Sequence, residues 1–312
     1  MNATTEPKAA PELTEFAMVD PGLMGLNLFR PLPRKGRTEA RKRMFEVDVV
    51  HDGRKLRVAG PYTLGADDLS VLLAVLALAG LLGKTIEASA SEASRVAIVD
   101  GLESKGEVVE AVHIRTRTTL YAICREAGLS VNGDAYGRVS ESLWRMAAMS
   151  YADFGAVNAN ARRMRASGSQ RLLSASMEEG SGEVSIVINA RFAAVVLGAH
   201  FVRVDLAESR DLGEMARLLH LRLSVMVRPG NSLMVTTDQL GEWLYGVPPA
   251  SSTQRTERRK EVRPALAELG AVSGWEVVEN RRRLMVAVTR LPKTQTEQRV
   301  KAKSGAKHQH VS

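Results

Sequence analysis

The pattern of apolar positions in the first half of the chain predicts three helices followed by a β-hairpin. Residues 63–80 form a long apolar run with acidic residues in its first turn, which predicts a buried helix. Residues 118–130 and 137–151 place apolar side chains three and four positions apart, with a glycine-containing turn between them. Two alternating runs in residues 171–191 surround a Gly-Ser-Gly turn and predict the hairpin.

The second half of the chain shows the same order. Residues 211–227 have helical spacing, and residues 232–246 predict a short strand, a threonine cap and a brief helix. Residues 251–269 predict a third helix, and residues 274–290 a second hairpin. The sequence therefore predicts an α+β fold of two tandem winged-helix domains, each a helical core with a β-hairpin wing.

This order sets the expected domain boundaries. Residues 1–43 are polar and then basic, and are expected to be a flexible leader and arm. A hairpin around Asp52-Gly53 then opens an N-terminal winged-helix domain at 44–200. The C-terminal winged-helix domain spans 201–291, and residues 292–312, which are almost without apolar side chains, are expected to form a disordered basic tail.

Composition indicates a folded protein without a membrane span. At 312 residues and 45% apolar content, the chain has material for two cores. Its longest uncharged apolar run, Leu69–Gly83, is shorter than the ~20 residues that a bilayer requires. The N-terminus has no secretory signal pattern, and the single Cys124 excludes an intramolecular disulfide, so we expect a cytoplasmic protein.

The net charge of +8 lies entirely in the last fifth of the chain. Residues 251–312 contain 14 Lys and Arg against 6 Asp and Glu, while the first 250 residues are balanced. Such a concentrated positive field attracts polyanions. Membrane binding would need bulky apolar residues opposite the basic ones on one helix, but here the basic turn precedes the apolar positions, which favours nucleic acid.

The strongest candidate DNA-binding residues lie in the third helix and the hairpin turn of the second unit. Arginine can pair two donors with guanine in the major groove, and other cations hold phosphates. A solvated helix, with Glu257 and Glu261 pairing its basic neighbours, is the alternative for the helix alone. The basic turn beside it favours DNA. The candidates are Arg255, Arg258, Arg259, Lys260 and Arg263 in the helix, and Arg281, Arg282 and Arg283 in the turn.

The first unit is less basic. Its hairpin turn carries Glu178, Glu179 and Glu183, which would repel phosphates. We therefore expect the C-terminal unit to supply most of the affinity and the first unit to extend the footprint. The candidates in the first unit are Arg138 and Arg145 in its third helix, Arg162, Arg163 and Arg165 in a loop, and Arg34, Lys35 and Arg37 in the arm.

Catalytic and metal-binding patterns are not found in the sequence. Gly83-Lys84-Thr85 resembles the end of a phosphate-binding loop, but Leu78 stands where that loop needs glycine. The six histidines are scattered and form no zinc pattern. We expect a protein that is not an enzyme and that needs no cofactor or metal.

Several segments together resemble one protein family. PGLMGLNLFRPLPRKGR, HDGRKLRVAGPYTLGADDL, ARLLHLRLSVMVRPG and RTERRKEVRPALAEL with the following GW are similar to the RepC replication initiators of IncQ-type plasmids, over about residues 21–290. The resemblance implies tandem winged-helix domains that bind directly repeated iterons, help to open an adjacent AT-rich segment and let a plasmid-encoded helicase and primase load. Self-association is left open.

Two questions stay open at this point. Pro264 lies inside the predicted third helix, so either the helix kinks there or a shorter helix begins there after a separate basic segment. The function also has alternatives: a transcriptional repressor that controls copy number, or an adaptor for replication proteins that uses the acidic turn and an exposed apolar stretch at Leu23–Phe29.

Overall fold

The computed structural model describes residues 13–33, 35–51, 53–86, 96–97, 100–156, 167–178, 180–280, 282–292, 294 and 296. The described helices are α1 (Pro21–Met24), α2 (Arg37–Arg41), α3 (Ala66–Leu82), α4 (Leu120–Glu126), α5 (Gly133–Ala147), α6 (Ala190–Val196), α7 (Leu206–Arg210), α8 (Glu214–Met226), α9 (Thr237–Tyr245) and α10 (Ser252–Ala271). The described strands are β1 (Phe16–Val19), β2 (Phe45–His51), β3 (Arg54–Gly60), β4 (Lys84–Ile86), β5 (Lys105–Gly106), β6 (His113–Thr119), β7 (Ser150–Ala156), β8 (Gly168–Arg171), β9 (Leu173–Met177), β10 (Glu183–Ile188), β11 (Val202–Asp205), β12 (Ser232–Thr236), β13 (Trp275–Asn280) and β14 (Met285–Arg290).

The C-terminal unit contains three helices and a three-stranded antiparallel sheet. α8 and β12 come first, α9 and α10 follow, and β13 and β14 form a hairpin, so that the sheet has the order β12-β14-β13. Thr236 begins α9 with a capping box to Gln239, and Gly246 ends it at a φ of 71°. The Ser251 hydroxyl caps α10 by accepting a hydrogen bond from the backbone N of Gln254 at 3.1 Å.

The same order of elements occurs earlier in the chain. α3, β6, α4, α5 and the β9–β10 hairpin follow one another as α8, β12, α9, α10 and the β13–β14 hairpin do. β10 lies between β6 and β9, as β14 lies between β12 and β13, and β4 adds a strand beyond β6. The structure therefore contains the repeated order that the apolar periodicity predicted, in a fold of mixed helices and sheets.

A five-stranded sheet extends the N-terminal unit. The hairpin expected around Asp52-Gly53 is formed by β2 and β3, with Val47 opposite Val58. This hairpin joins β7, β8 and β5 in the order β2-β3-β7-β8-β5, which the sequence did not predict. Alternation along a strand indicates which face is buried but does not identify the strand beside it, so segments this far apart in sequence are paired only by the fold.

The centre of the molecule is α3. Residues 68–79 are buried at every position, because β1, β6, α4, α5, α6 and α8 surround the helix. A helix that is apolar all round belongs in such a core, as its sequence predicted. Most of the buried apolar residues of both units form one continuous cluster around it. Within the part of the chain that the structure describes, no helix combines the length and the apolarity needed to cross a membrane.

Residues 16–29 pack into this core, and the expectation of a flexible leader is wrong for them. β1 pairs antiparallel with β11, placing Ala17 opposite Val204. α1 packs against α8, and Leu23 is fully buried. All five large apolar residues of Leu23–Phe29 are buried, so this stretch offers no exposed surface to a partner. The reason lies in the tertiary structure, because β11, from beyond residue 200, pairs with β1, which has no partner strand nearby in sequence.

Candidate nucleic-acid interface

α10 has a buried face and an exposed face. Val262, Ala265 and Leu269 are buried where the helix packs against α8 and α9. Arg255 and Lys260 are exposed on other sides of the helix. This division leaves the polar sides of α10 exposed, as the apolar stripe in its sequence predicted.

Arg258 does not belong to the exposed face, which corrects its prediction as a DNA-binding residue. Its side chain is buried, and its terminal nitrogen donates a hydrogen bond to the Val247 carbonyl at 2.6 Å. Its guanidinium also lies 4.4 Å from the centre of the Tyr245 ring. Arg258 precedes Val262 by one helical turn and therefore shares the inward stripe, so it anchors α10 to the end of α9.

Arg259 lies on the flank of α10 that faces the start of α9. Its Nε and one terminal nitrogen each donate a 2.6 Å hydrogen bond to a different oxygen of Asp238. This bidentate pair holds the guanidinium in one orientation. The hydrogen bond from Arg259 also lowers the pKa of Asp238 below its usual value, so the carboxylate stays charged at neutral pH.

Arg263 lies one turn further along the same flank and connects the helix to the hairpin. Its Nε donates a hydrogen bond to Glu279 of β13 at 2.9 Å. The start of α9 reaches the hairpin turn as well, because the backbone N of Thr237 donates to the Leu284 carbonyl at 3.0 Å. The flank of α10, the start of α9 and the turn after β13 therefore form one surface.

The remaining cations of this surface are exposed. Arg282 and Arg283 lie in the hairpin turn, and neither side chain pairs with another described residue. The side chain of Arg255 likewise makes no hydrogen bond or ion pair with a described residue, while Lys260 pairs with Glu257 at 3.0 Å. We call this surface the basic face. It consists of Arg255, Arg259, Lys260, Arg263, Arg282 and Arg283.

Pro264 does not divide α10. The helix is continuous from Ser252 to Ala271, and Arg255 already donates its backbone N–H to the Ser251 carbonyl. The alternative in which a shorter helix begins at Pro264 is therefore wrong. Proline removes only the bond to the carbonyl of Lys260, and the apolar stripe on both sides of it keeps the helix packed.

The described part of the arm lies beside α10 but is held by acids. A groove of about 990 Å³ separates them, lined by Arg37 on one side and Lys260 on the other. Arg37 pairs with Glu214 of α8 at 2.8 Å and lies 3.7 Å from Asp67, whereas Lys35 is exposed and makes no such pair with a described residue. The side chain of Lys35 is therefore more available to a ligand than that of Arg37.

In the N-terminal unit, Arg145 of α5 is a structural residue, which corrects its prediction as a DNA contact. Two of its nitrogens donate to Asp68, at 2.7 and 3.0 Å, and Asp68 is fully buried. Arg41 of α2 donates to the other oxygen of the same carboxylate at 2.7 Å. This cluster ties α2, α3 and α5 together. Arg138 is exposed on α5. Trp144 is exposed on the same helix, at 59% of its surface.

Glu178 and Glu183 flank the turn of the first hairpin and are exposed, as expected of an acidic turn. Predicted residues that lie outside the described residues are Arg34, Arg162, Arg163, Arg165, Glu179 and Arg281.

The family model of replication protein C (RepC) matches residues 13–290. The chain belongs to the replication protein C family. The match covers both helical units, both hairpins and the leader that the structure places in the core.

Solved structures show the same fold at low sequence identity. A crystal structure of selenomethionine derivatives of domains 2 and 3 of RctB is 12% identical, with a TM-score of 0.53, over 87% of this chain and 99% of that one. A second crystal structure of RctB domains 2 and 3 is 14% identical, with a TM-score of 0.51, over 88% and 98%. No curated protein sequence matches the chain.

The residues that sequence reasoning missed are the carboxylates. Asp238 looked like an acid in the first turn of a helix, and Glu279 like a polar residue of a strand. Both pair with arginines 21 and 16 residues away, and no local pattern indicates this pairing. The burial of Arg258 did have a signal, because its position extends the apolar stripe backwards by one turn.

Nothing within the described residues suggests a metal centre or a reactive thiol. Among those residues, no group of three histidine, cysteine or acidic side chains is placed to hold a metal ion. Cys124 is buried, and burial raises the pKa of its thiol above the usual value, so the thiol stays protonated.

Proposed function

We propose that this member of the replication protein C family is a replication initiator that binds duplex DNA, with its C-terminal unit acting as a winged helix. The observation that carries the proposal is the basic face, on which the flank of α10 and the turn after β13 lie side by side. Three of its six cations pair with carboxylates, in the pairs Arg259–Asp238, Lys260–Glu257 and Arg263–Glu279. The side chains of the other three have no carboxylate partner among the described residues. The order of helices and the sheet order β12-β14-β13 support the same proposal.

The basic face fits duplex DNA for physical reasons. An α-helix enters the major groove, where arginine and lysine donors meet base edges, while a turn beside the helix reaches the neighbouring phosphates. In this arrangement α10 supplies the base contacts, and Arg282 and Arg283 supply backbone contacts. Arg258 contributes indirectly, by holding α10 in place.

In our proposal, the N-terminal unit extends the footprint. Its repeated element order places α5 where α10 lies in the second unit. Arg138 on α5 and Lys35 in the arm are exposed and suit phosphate contacts, whereas Arg145 is committed to Asp68. Unequal units in one chain suit direct repeats better than a palindrome, which a symmetric dimer would bind.

The finer assignment follows the resemblance to IncQ-type initiators. We propose that the chain binds iterons at a plasmid origin, promotes opening of adjacent DNA and lets helicase and primase load, without catalytic activity or a cofactor of its own. Such a protein acts in the cytoplasm. Its self-association is part of the same proposal, because neighbouring repeats bring several copies close together.

Footprinting tests this proposal. The purified full chain is added to the origin region of the replicon that carries its gene, and to a control duplex in which the direct repeats are scrambled. We expect protection that recurs with the period of the repeats and disappears from the control. An absence of protection on both duplexes would reject duplex recognition.

Two alternatives give different footprints. A repressor would protect one operator beside a promoter and not the repeats. An adaptor would protect no DNA, and the exposed acids Glu178 and Glu183 are the feature that favours it. The buried stretch at Leu23–Phe29 no longer supports an adaptor.

A further inference from the structure

We propose that Arg259 reads a guanine in the major groove and that Asp238, which touches no base, determines this specificity by holding the arginine in position. This inference deepens the proposed function and depends on it. It starts from the bidentate ion pair between the two side chains, in which both bonds measure 2.6 Å.

The geometry of the Arg259–Asp238 pair determines which N–H groups of the guanidinium stay available to DNA. Guanidinium carries five N–H groups, and Asp238 takes one from Nε and one from a terminal nitrogen of Arg259. The opposite edge, formed by the two terminal nitrogens, keeps two parallel N–H groups that no other described residue accepts. That free edge is the one that pairs with O6 and N7 of guanine.

Asp238 also restricts what else Arg259 can do. A free arginine turns to whichever phosphate is near, but one held on two atoms presents a single edge in a single direction. The carboxylate adds a negative charge beside the groove, which disfavours contacts that are purely electrostatic. The pair therefore raises discrimination between sequences rather than affinity for all of them.

The other cations of the basic face lack this arrangement. Arg263 is held through Nε alone, Lys260 is a point charge paired with Glu257, and Arg255 has no partner among the described residues. Arg259 is also only one quarter exposed, so its head group has little freedom. It is the member of the face best prepared to recognise one base.

Selection from a pool of random duplexes tests the inference. The full chain and its variants are incubated with the pool at one salt concentration, and the bound fraction is sequenced. Arg259→Lys keeps the charge but cannot pair with guanine at two atoms, and Asp238→Asn removes the charged bidentate partner. The matched control is Glu257→Gln, which removes a carboxylate from the same helix but leaves every arginine pair intact.

We expect Arg259→Lys and Asp238→Asn to lose the preference for guanine at the same single position, by about 5- to 150-fold each. The double variant should lose no more than Arg259→Lys alone, because both changes disable one contact. Glu257→Gln should keep the preference at every position. Unfolding midpoints are measured in parallel, since a purely structural role would weaken all sequences alike.

The outcomes separate this inference from the proposed function. If the unmodified chain enriches no sequence, duplex recognition itself is wrong. If it enriches a sequence and either variant keeps every guanine preference, the assignment of Arg259 and Asp238 is overturned while the function stands. Loss of preference at all positions together would likewise overturn a specific role for the pair.

Discussion

Replacing Arg258 by alanine should destabilise the C-terminal unit, although the residue lies among cations proposed to bind DNA. The change removes a 2.6 Å hydrogen bond to the Val247 carbonyl and the contact of the guanidinium with the Tyr245 ring at 4.4 Å. A hydrogen bond from a charged group contributes roughly 1.5–3 kcal/mol and a cation–π contact roughly 0.5–2 kcal/mol. Burying the charge offsets part of this, so we expect a net loss of about 2 kcal/mol.

Urea unfolding measures the effect. For a chain of this size the dependence on urea is about 3 kcal/mol per M, so a loss of about 2 kcal/mol should lower the unfolding midpoint by about 0.7 M. Arg255→Ala is the matched control, because Arg255 is exposed on the same helix and pairs with no described residue. It should change stability by less than about 0.5 kcal/mol and weaken duplex binding instead.

Arg258→Ala should therefore lower the urea midpoint, whereas Arg255→Ala should leave the midpoint unchanged and weaken duplex binding. Fluorescence anisotropy of a labelled duplex reports binding, and the urea midpoint reports folding. If Arg258→Ala kept the midpoint of the unmodified chain but lost duplex binding, α10 would have to present Arg258 to DNA. The division of the helix into buried and exposed faces would then be wrong.

Three further predictions concern other parts of the molecule. Changing both Arg282 and Arg283 to alanine should make the slope of log Kd against log salt shallower by about 1.8, because each lost phosphate contact accounts for about 0.9. Sequence preference should not change. An unchanged slope would show that the hairpin turn does not contact DNA. Asp68→Ala leaves Arg41 and Arg145 buried without their shared acid and should lower the free energy of unfolding in urea by roughly 3–5 kcal/mol. A decrease below about 1 kcal/mol would contradict the structural importance of this cluster. The hydrogen bond from Arg57 lowers the pKa of Asp48 to about 2, so the pair should stabilise the β2–β3 hairpin at pH values above about 4 and lose this effect as the pH falls towards 2. An NMR titration of the Asp48 carboxyl should give that low pKa, and Arg57→Ala should raise it towards the usual range, while Lys55 still lowers it.

The N-terminal unit shows how far periodicity reaches. Spacing predicted α4, α5 and the β9–β10 hairpin, because each buries one face and must repeat its apolar residues with its own period. A continuous apolar run predicted α3, which is buried on all sides. The five-stranded sheet was missed because its strands come from separate segments. The leader was misjudged because β1 is short and its partner, β11, lies almost 190 residues away.

The candidate site divides in a similar way. Charge counting located the basic region correctly, and the apolar stripe of α10 indicated which side would be buried. Extending that stripe backwards by one turn places Arg258 on the buried side. Neither pattern shows that Asp238 holds Arg259, because α9 and α10 meet only in the folded protein. Arg145 was misassigned for the same reason, since its partner Asp68 belongs to a different helix.

By itself, the sequence determined the order of the elements, their repetition and the position of the positive charge. These are local properties, because the period of the side chains and the composition of a segment do not depend on what lies next to it. The tertiary structure alone decided which arginines are held by acids, since Asp238 and Glu279 meet Arg259 and Arg263 only after α9 and β13 have packed against α10. A charge becomes a structural or a binding group according to its neighbours in space, and the fold supplies those neighbours.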